Sequence, residues 1–290
     1  MQENKFRSLI HFHFIVFIFG FTAILGSIIS IESIELVWYR MLIATIFLLF
    51  FSIIFPLKKI SKKLFMKLFF CGFLICMHWV FFFKAIKVSN VSITLSILSL
   101  GAFLTSFLEP FFYKTKIVIH EVILGILVAI GTIIIFRTQF HFWEGIMYAS
   151  ISVLLSVFFT LINGKIVGKT SSLTISFYEL LSGLICISLI LIFSKDLNLD
   201  LLIVDSKDFI WLFVLGTICT AYAFVISIDV MKDLSPFTLM LSINMEPVYG
   251  IILAIILLNE HTQLNSQFYF GFLLIFISII INGFIKLKRK

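Results

Sequence analysis

Ten long apolar stretches, separated by short polar loops, divide this 290-residue sequence from end to end. A helix needs roughly 20 predominantly apolar residues to cross the hydrocarbon core of a membrane, which is about 30 Å thick. Ten such helices use almost the whole chain, so no separate soluble domain fits beside them. The predicted spans cover residues 9–29, 36–56, 65–86, 91–113, 118–136, 142–163, 172–193, 209–229, 236–258 and 267–285.

Composition excludes a water-soluble fold. Hydrophobic residues make up 61% and charged residues 13% of the sequence, whereas soluble domains contain about 45–50% and about 25% of them. We therefore predict an all-α integral membrane protein in direct contact with the lipid bilayer. The net charge of +7 comes from basic loops, so it indicates an orientation in the membrane rather than a nucleic-acid partner.

Lysine and arginine are distributed unevenly between the two sides of the predicted bundle. Sixteen of the 22 fall on the side of the N-terminus and five on the other, with Arg40 inside a span. Cytoplasmic loops of membrane proteins are enriched in these residues. We expect a multi-pass protein of a bacterial inner membrane with both termini in the cytoplasm. The first apolar run lacks a cleavage signal, so we expect it to be the first helix rather than a removed leader.

Weak internal similarity divides the chain into two halves. Ser89 matches Ser235 and Gly125 matches Gly271 at one constant offset along the chain, and Arg40 matches Glu179 at a slightly shorter one. The predicted repeats are residues 1–140, with spans one to five, and 141–290, with spans six to ten. Because five is an odd number, the second repeat must enter the membrane from the opposite side. Inverted repeats of this kind recur in transporters, whose sites lie near the middle of the bilayer.

Several short motifs resemble a known transporter family. They are Ala221-Tyr222-Ala223-Phe224, Leu234-Ser235-Pro236, Met245-Glu246-Pro247-Val248, Leu258-Asn259-Glu260 and Gly271. The sequence resembles the EamA-like branch of the drug/metabolite transporter superfamily, which has a glutamate–proline pair inside span nine and a glycine/asparagine–glutamate pair at its end. The first half departs from that pattern, with Gly101 and Lys114 where the family often has proline and a loop glutamate. The resemblance implies ten helices in two repeats and transport of a small solute, commonly export of amino acids or related metabolites.

Glu246 is the strongest candidate for a solute or ion pathway. An ionisable side chain at the centre of a membrane helix costs at least about 2.5–3.5 kcal/mol, so it needs a partner or a wet cavity. Glu246 lies near the predicted midplane and shares a helix face with Thr238 and Ser242, with Tyr249 one turn further along. The alternative is a packing stripe around a neutral glutamate, since small polar residues also mediate helix contacts.

Other polar residues inside spans are weaker candidates. They are Glu179, Arg40, His78, Tyr222 and Asn163, the last on a stripe with Ser152, Ser156 and Thr160. We expect Glu246 and Glu179 to supply the acidic groups of a central cavity, with His78 and Tyr222 in its walls. Arg40 could either reach the membrane interface or bind a carboxylate of the solute, and we expect no direct salt bridge between Arg40 and Glu179. His78 could be a neutral buried histidine, or it could transfer protons or stack on the solute, while the stripe on span six favours helix packing.

The sequence contains no metal-ligand cluster, phosphate-binding glycine loop or nucleophile motif. We therefore expect no cofactor, no catalysis and no nucleotide hydrolysis; active transport would use proton coupling through Glu246 or Glu179. Four scattered cysteines indicate neither a disulfide framework nor a metal site. Spans five and ten are expected at the periphery, where Gly125 and Ala129 offer a small-residue surface for packing or for a homodimer contact. The alternatives are a membrane-embedded enzyme acting on a lipid or isoprenoid, and a structural or signalling scaffold.

Overall fold

The computed structural model describes residues 2–194, 204–234, 236–243 and 245–288, and they form helices joined by short connections, with no strand among them. The helices are α1 (Gln2–Ile28), α2 (Ser33–Phe51), α3 (Lys62–Val88), α4 (Val91–Leu98), α5 (Leu100–Tyr113), α6 (Ile119–Thr138), α7 (Trp143–Ile166), α8 (Ser172–Ser194), α9 (Ser206–Gly216), α10 (Ala223–Val230), α11 (Pro236–Ile243), α12 (Met245–Leu258) and α13 (Ser266–Lys288). A π-helical segment, Thr217–Tyr222, joins α9 to α10.

These helices confirm the predicted membrane architecture. Within the described ranges, nine stretches are long and apolar enough to cross a membrane, and the apolar part of α13, Ser266–Ile281, is a shorter tenth. Helices α4 and α5 together form span four, α9 and α10 form span eight, and α11 and α12 form span nine. Large apolar side chains such as Ile53 and Phe193 are exposed on the outside of the bundle, which suits lipid as the surrounding solvent.

The helix boundaries repeat along the chain. Helix α2 begins at Ser33 and α8 begins at Ser172. The offset between these two positions equals that between Arg40 and Glu179, the matched pair in spans two and seven. Span four and span nine begin and end at matching positions, with a single offset between them. Among the described non-glycine residues, left-handed backbone occurs at Lys114 and Asn259, which directly follow these two spans. The fold is therefore two inverted five-helix repeats; residue 235, the proposed partner of Ser89, lies outside the described residues.

Glu260 joins the two repeats at one end of the bundle. Its buried carboxylate accepts hydrogen bonds from the backbone N–H groups of Val91 and Ser92, both at 2.9 Å, and from the Ser92 hydroxyl at 2.6 Å. The first amides of a helix lack partners within the helix and carry a partial positive charge. The asparagine–glutamate motif therefore caps α4, with Asn259 providing the left-handed turn before it.

The fifth and tenth spans, α6 and α13, pack closely against each other. A Cβ atom added at Gly271 would lie 2.6 Å from the carbonyl oxygen of Gly131, so the two backbones are almost in contact. Gly125 packs against Phe103 of α5, and the homodimer contact expected at Gly125 and Ala129 stays a prediction. The Gly131–Gly271 approach was not predicted.

Replacing Gly271 with valine should destabilise the protein. The added side chain would overlap the Gly131 carbonyl, and overpacking of this kind typically costs about 1–3 kcal/mol. The thermal unfolding midpoint of the purified variant in detergent should fall below that of the parent. Ile133→Val, at an exposed position on α6, is the control and should leave the midpoint unchanged. An unaltered midpoint for Gly271→Val would show that the close approach does not contribute to stability.

Helices α3 and α8 form a similarly close contact between the two repeats. A Cβ atom at Gly72 would meet the carbonyl oxygen of Glu179 and the backbone nitrogen of Gly183, while one at Gly183 would lie 2.8 Å from the carbonyl oxygen of Gly72. Glycine at both positions lets the backbones approach without a side chain between them. This contact places Glu179 at the boundary of the repeats.

Candidate functional site

A central cavity lies between the two repeats. Its volume, counted as the space that the centres of water molecules can occupy, is about 100 Å³. One water requires roughly 10–15 Å³ on the same measure. Helices α1, α2, α3 and α4 of the first repeat and α7, α10, α11 and α12 of the second contribute to its walls, together with the π-helical segment. None of the described side chains of α6 or α13 lines it, as predicted for spans five and ten.

Arg40 is the most buried large side chain at this cavity, with 2% of its surface exposed. Its Nε donates to the hydroxyl of Thr220 at 2.7 Å, and its Nη2 lies 3.5 Å from the carbonyl oxygen of Cys219. The guanidinium also stacks over the ring of Trp79, with its carbon 3.7 Å from the ring centroid, a favourable cation–π geometry. Arg40 therefore does not extend to the membrane interface, and Trp79 supports the arginine by stacking against it.

The π-helical segment creates the partners of Arg40. A π-helix places an extra residue in each turn and is rare outside functional sites. Here it presents the carbonyl of Cys219 and the hydroxyl of Thr220 to the guanidinium, and Thr220 donates in turn to the carbonyl of Leu215 at 2.6 Å. The Nη1 nitrogen of Arg40 has no hydrogen-bond partner among the described residues. One nitrogen of this buried cation is thus available to a ligand.

Glu246 places a carboxyl group on the opposite helix. Its side chain is 7% exposed and lines the cavity. It interacts electrostatically with Arg40, although no ion pair within 4.0 Å joins them in the part of the chain that the structure describes. A carboxylate and a guanidinium therefore face the same space from different repeats without neutralising each other directly.

His78 adds a polar group to the cavity lining, and Ser152 of α7 holds it from behind. Ser152 places its hydroxyl 2.8 Å and its carbonyl oxygen 2.9 Å from Nδ1 of His78, and the hydroxyl lies 2.9 Å from the His78 carbonyl oxygen. The imidazole stacks on Phe82 with its centroid 6.1 Å away. Since Ser152 occupies Nδ1, Nε2 is the ring nitrogen that remains for a solute.

The rest of the cavity surface is largely aromatic and aliphatic. The aromatic side chains of the lining are Phe19, Trp79, Phe82, Phe159 and Phe224. Such walls bury an apolar group of a solute, while a few polar groups fix its orientation.

Three further candidates lie outside the cavity lining. Tyr222 is 39% exposed and hydrogen-bonds His11 at 3.0 Å, so it does not form a cavity wall as expected. Tyr249 packs its ring edge-on against Phe17, with centroids 5.5 Å apart. Ser242 donates to the carbonyl of Thr238 at 2.9 Å within its own helix.

Glu179 and Asn163 also lie apart from the cavity. Both are completely buried, and the amide of Asn163 donates to Oε2 of Glu179 at 3.3 Å. The thiol of Cys71 on α3 offers a weak S–H donor to the same carboxyl group. The second acidic group expected in the cavity thus belongs to a separate buried cluster, and no ion pair links Glu179 to Arg40 among the described residues.

The polar stripe on α7 does more than pack against another helix. Ser152 binds His78, Ser156 and Thr160 line the cavity, and Asn163 binds Glu179.

The described side chains contain no group of three or more His, Cys, Asp or Glu that could hold a metal ion. All four cysteines have free thiols.

A cavity that holds a buried arginine and a carboxyl group between two inverted repeats of membrane-spanning helices is typical of a membrane transporter. This chain belongs to the EamA-like transporter family, whose pattern matches residues 8–137 and again residues 143–284.

One curated relative and one solved structure extend the comparison. The chain is 27% identical over 262 residues to the uncharacterized transporter YxxF of Bacillus subtilis (strain 168), covering 87% of this chain and 82% of the relative. A crystal structure with 12% sequence identity superposes with a TM-score of 0.70, covering 94% of this chain and 96% of the other. That likeness shows a shared fold.

Proposed function

We propose that this protein is a secondary transporter that exports an amino acid or a related zwitterionic metabolite by alternating access of its central cavity. The observation that carries the proposal is Arg40, a buried guanidinium with its Nη1 nitrogen unpaired beside the cavity. A carboxylate is the group that best completes such a fork of N–H donors. Glu246, which faces the same space, would receive the ammonium group.

The aromatic walls favour a solute with a large apolar side chain. Phe19, Phe82 and Phe159 offer surface to such a group, and burying it would contribute about 25 cal/mol per Å² of apolar area. His78 would hydrogen-bond the solute through Nε2. Tyr249, Ser242 and Tyr222, outside the present lining, would meet the solute after the repeats have moved.

The excess of Lys and Arg on one side supports an orientation with both termini in the cytoplasm of a bacterial cell. We place the boundary of the two repeats between residues 140 and 141. Export agrees with the direction commonly associated with the family resemblance, and secondary energy coupling agrees with the lack of a nucleotide motif in the sequence.

Flux into sealed liposomes that contain only this protein tests the proposal. Each hydrophobic L-amino acid should exchange across the membrane faster than its amide, which lacks the carboxylate, and faster than its deaminated acid, which lacks the amine. The solute should be recovered chemically unchanged, unlike the substrate of a membrane-embedded enzyme. Protein-free liposomes are the control, and equal rates for amino acid and amide would contradict the assigned role of Arg40.

A further inference from the structure

Glu179 lies in a buried polar cluster that the substrate cavity does not use. We propose that Glu179, with Asn163 and Cys71, forms a proton-binding site that is separate from the cavity and links proton uptake to closure of one end of the bundle. The inference rests on the proposed function for its role in transport, but the site itself can be tested without a substrate.

The cluster contains three buried polar atoms without a hydrogen-bond partner among the described residues. Asn163 and Cys71 each donate to the carboxyl group, yet Oε1 of Glu179, Oδ1 of Asn163 and the hydroxyl of Ser176 have no partner there. Two unpaired acceptor oxygens in a fully buried environment are costly, because desolvation is not compensated. One proton on Oε1 turns an acceptor into a donor, so it can satisfy part of this deficit.

The electrostatic environment of Glu179 differs from that of Glu246. Glu246 faces the positive charge of Arg40, whereas no cationic side chain forms an ion pair with Glu179 in the described ranges. The groups packed around Glu179 are the thiol of Cys71 on α3 and the amide of Asn163 on α7, with Lys67 one turn before Cys71. An unpaired charge in such a place is strongly disfavoured, so the buried site favours a protonated carboxyl group.

A proton suits this site better than a metal cation. The Asn163 amide donates to Oε2 of Glu179, and Cys71 interacts with the same carboxyl group as a weak S–H donor. A bound sodium ion would have to compete with these donors for the same oxygens, whereas a proton on the free oxygen Oε1 leaves both in place.

The position of the cluster connects it to movement of the repeats. Glu179 lies where α8 of the second repeat touches α3 of the first, at the close backbone approach of Gly72 and Gly183. If α3 and α8 separate at this end, water reaches the carboxyl group and the ionised form becomes less costly in free energy. Protonation and closure of this end are therefore thermodynamically linked.

A groove at the same end offers a route for the proton. It lies between α3, α5 and α7 and is lined in part by Lys67, Ile162 and Ile166. Ile162 and Ile166 flank Asn163 on α7, and Lys67 precedes Cys71 by one turn on α3. The groove is thus within one helical turn of Asn163 and Cys71, the two partners of the buried carboxyl group.

Maleimide labelling of Cys71 in liposomes tests the site without a substrate. The protein would carry Cys76→Ala, Cys186→Ala and Cys219→Ala, and would be compared with the same protein carrying Glu179→Gln, whose side chain is permanently neutral. Both share the same labelled thiol, so the ratio of their labelling rates removes the intrinsic pH dependence of the thiol. A charge on Glu179 disfavours the Cys71 thiolate, so it would slow labelling of the parent and cannot itself produce a rise in the ratio. We expect this ratio, parent over Glu179→Gln, to rise about tenfold from mildly acidic to mildly alkaline pH as the open population grows.

Three other outcomes would overturn the proposal. The first is a ratio that does not change with pH. The second is faster labelling of Glu179→Gln at every pH, which would indicate a purely structural glutamate. The third is a ratio that follows sodium concentration at fixed pH. Glu144→Gln, an exposed carboxyl group in the first turn of α7, is the matched control and should behave like the parent. Equal elution volumes and thermal midpoints would verify that the variants are folded.

A transport measurement separates this inference from the proposed function. Glu179→Gln should retain exchange of an amino acid between equal pools while losing accumulation driven by a pH gradient. If the parent exchanges amino acids and Glu179→Gln still accumulates them in response to the gradient, the proton site is wrong and the proposed function stands. If the parent moves no amino acid, the proposed function fails, and the labelling ratio alone decides on the proton site.

Discussion

Replacing Arg40 with leucine should lower exchange of the best amino acid substrate by at least about 30-fold. The guanidinium is the only cationic side chain of the described cavity lining, and removing one partner of a buried charged pair typically costs about 2–5 kcal/mol. About 1.4 kcal/mol corresponds to a factor of ten in affinity. We expect the slower exchange to reflect mainly weaker binding of the solute, because Arg40 contacts the solute directly in the proposed site. Initial exchange rates measured over a range of solute concentrations would check this.

A lysine at the same position gives a sharper test of the geometry. Arg40→Lys keeps the positive charge but loses the planar fork that binds Thr220 and leaves Nη1 for the solute. We expect its affinity to fall between those of the parent and of Arg40→Leu. Arg137→Leu removes an exposed arginine at the end of α6 and should change nothing. Full affinity in Arg40→Leu would show that the arginine only supports the fold.

Replacing Glu246 with glutamine should change which solutes the protein prefers. The variant keeps the size of the side chain but loses its negative charge, so we expect exchange of amino acids to fall at least about 30-fold, in line with the cost of losing a charged partner. The deaminated acids should lose much less, because they carry no ammonium group. Their exchange rates relative to the parent amino acids would therefore rise.

The effects of Glu246→Gln and Glu179→Gln on transport should differ in kind as well as in size. Loss of Glu246 should impair exchange and gradient-driven transport together, because both require solute binding. Loss of Glu179 should impair only the gradient-driven process. If Glu246→Gln exchanges amino acids normally but no longer responds to a pH gradient, proton coupling belongs to Glu246 and the solute's ammonium group must be bound elsewhere.

The positions of the helices were predictable because they depend on local hydrophobicity. Each span needs its own apolar length, and α8 and spans four and nine begin and end within one residue of the predicted bounds. Helix α2, predicted at 36–56, instead runs from Ser33 to Phe51. The depth of Glu246 and His78 could likewise be counted along a helix, and both line the cavity.

The rotation of the helices could not be predicted in the same way. In a membrane, lipid-facing and buried surfaces are both apolar, so hydrophobic patterns do not show which face of α8 carries Glu179 inward. Tyr222 lies within a π-helical turn, where an α-helical register no longer gives the direction of a side chain. The pairing of Arg40 with Trp79 joins α2 to α3 and depends on that same rotation.

The cap that Glu260 places on α4 has a kinetic consequence. Opening the bundle at that end requires the carboxylate to leave three donors, and hydrogen bonds to charged groups contribute about 1.5–3 kcal/mol each. At the opposite end, the counterpart of Val91 in the second repeat is Pro236, which has no N–H to offer, and Thr115 stands where Glu260 would be. The barriers at the two ends are therefore unequal, and opening at the Glu260 end should set the turnover rate.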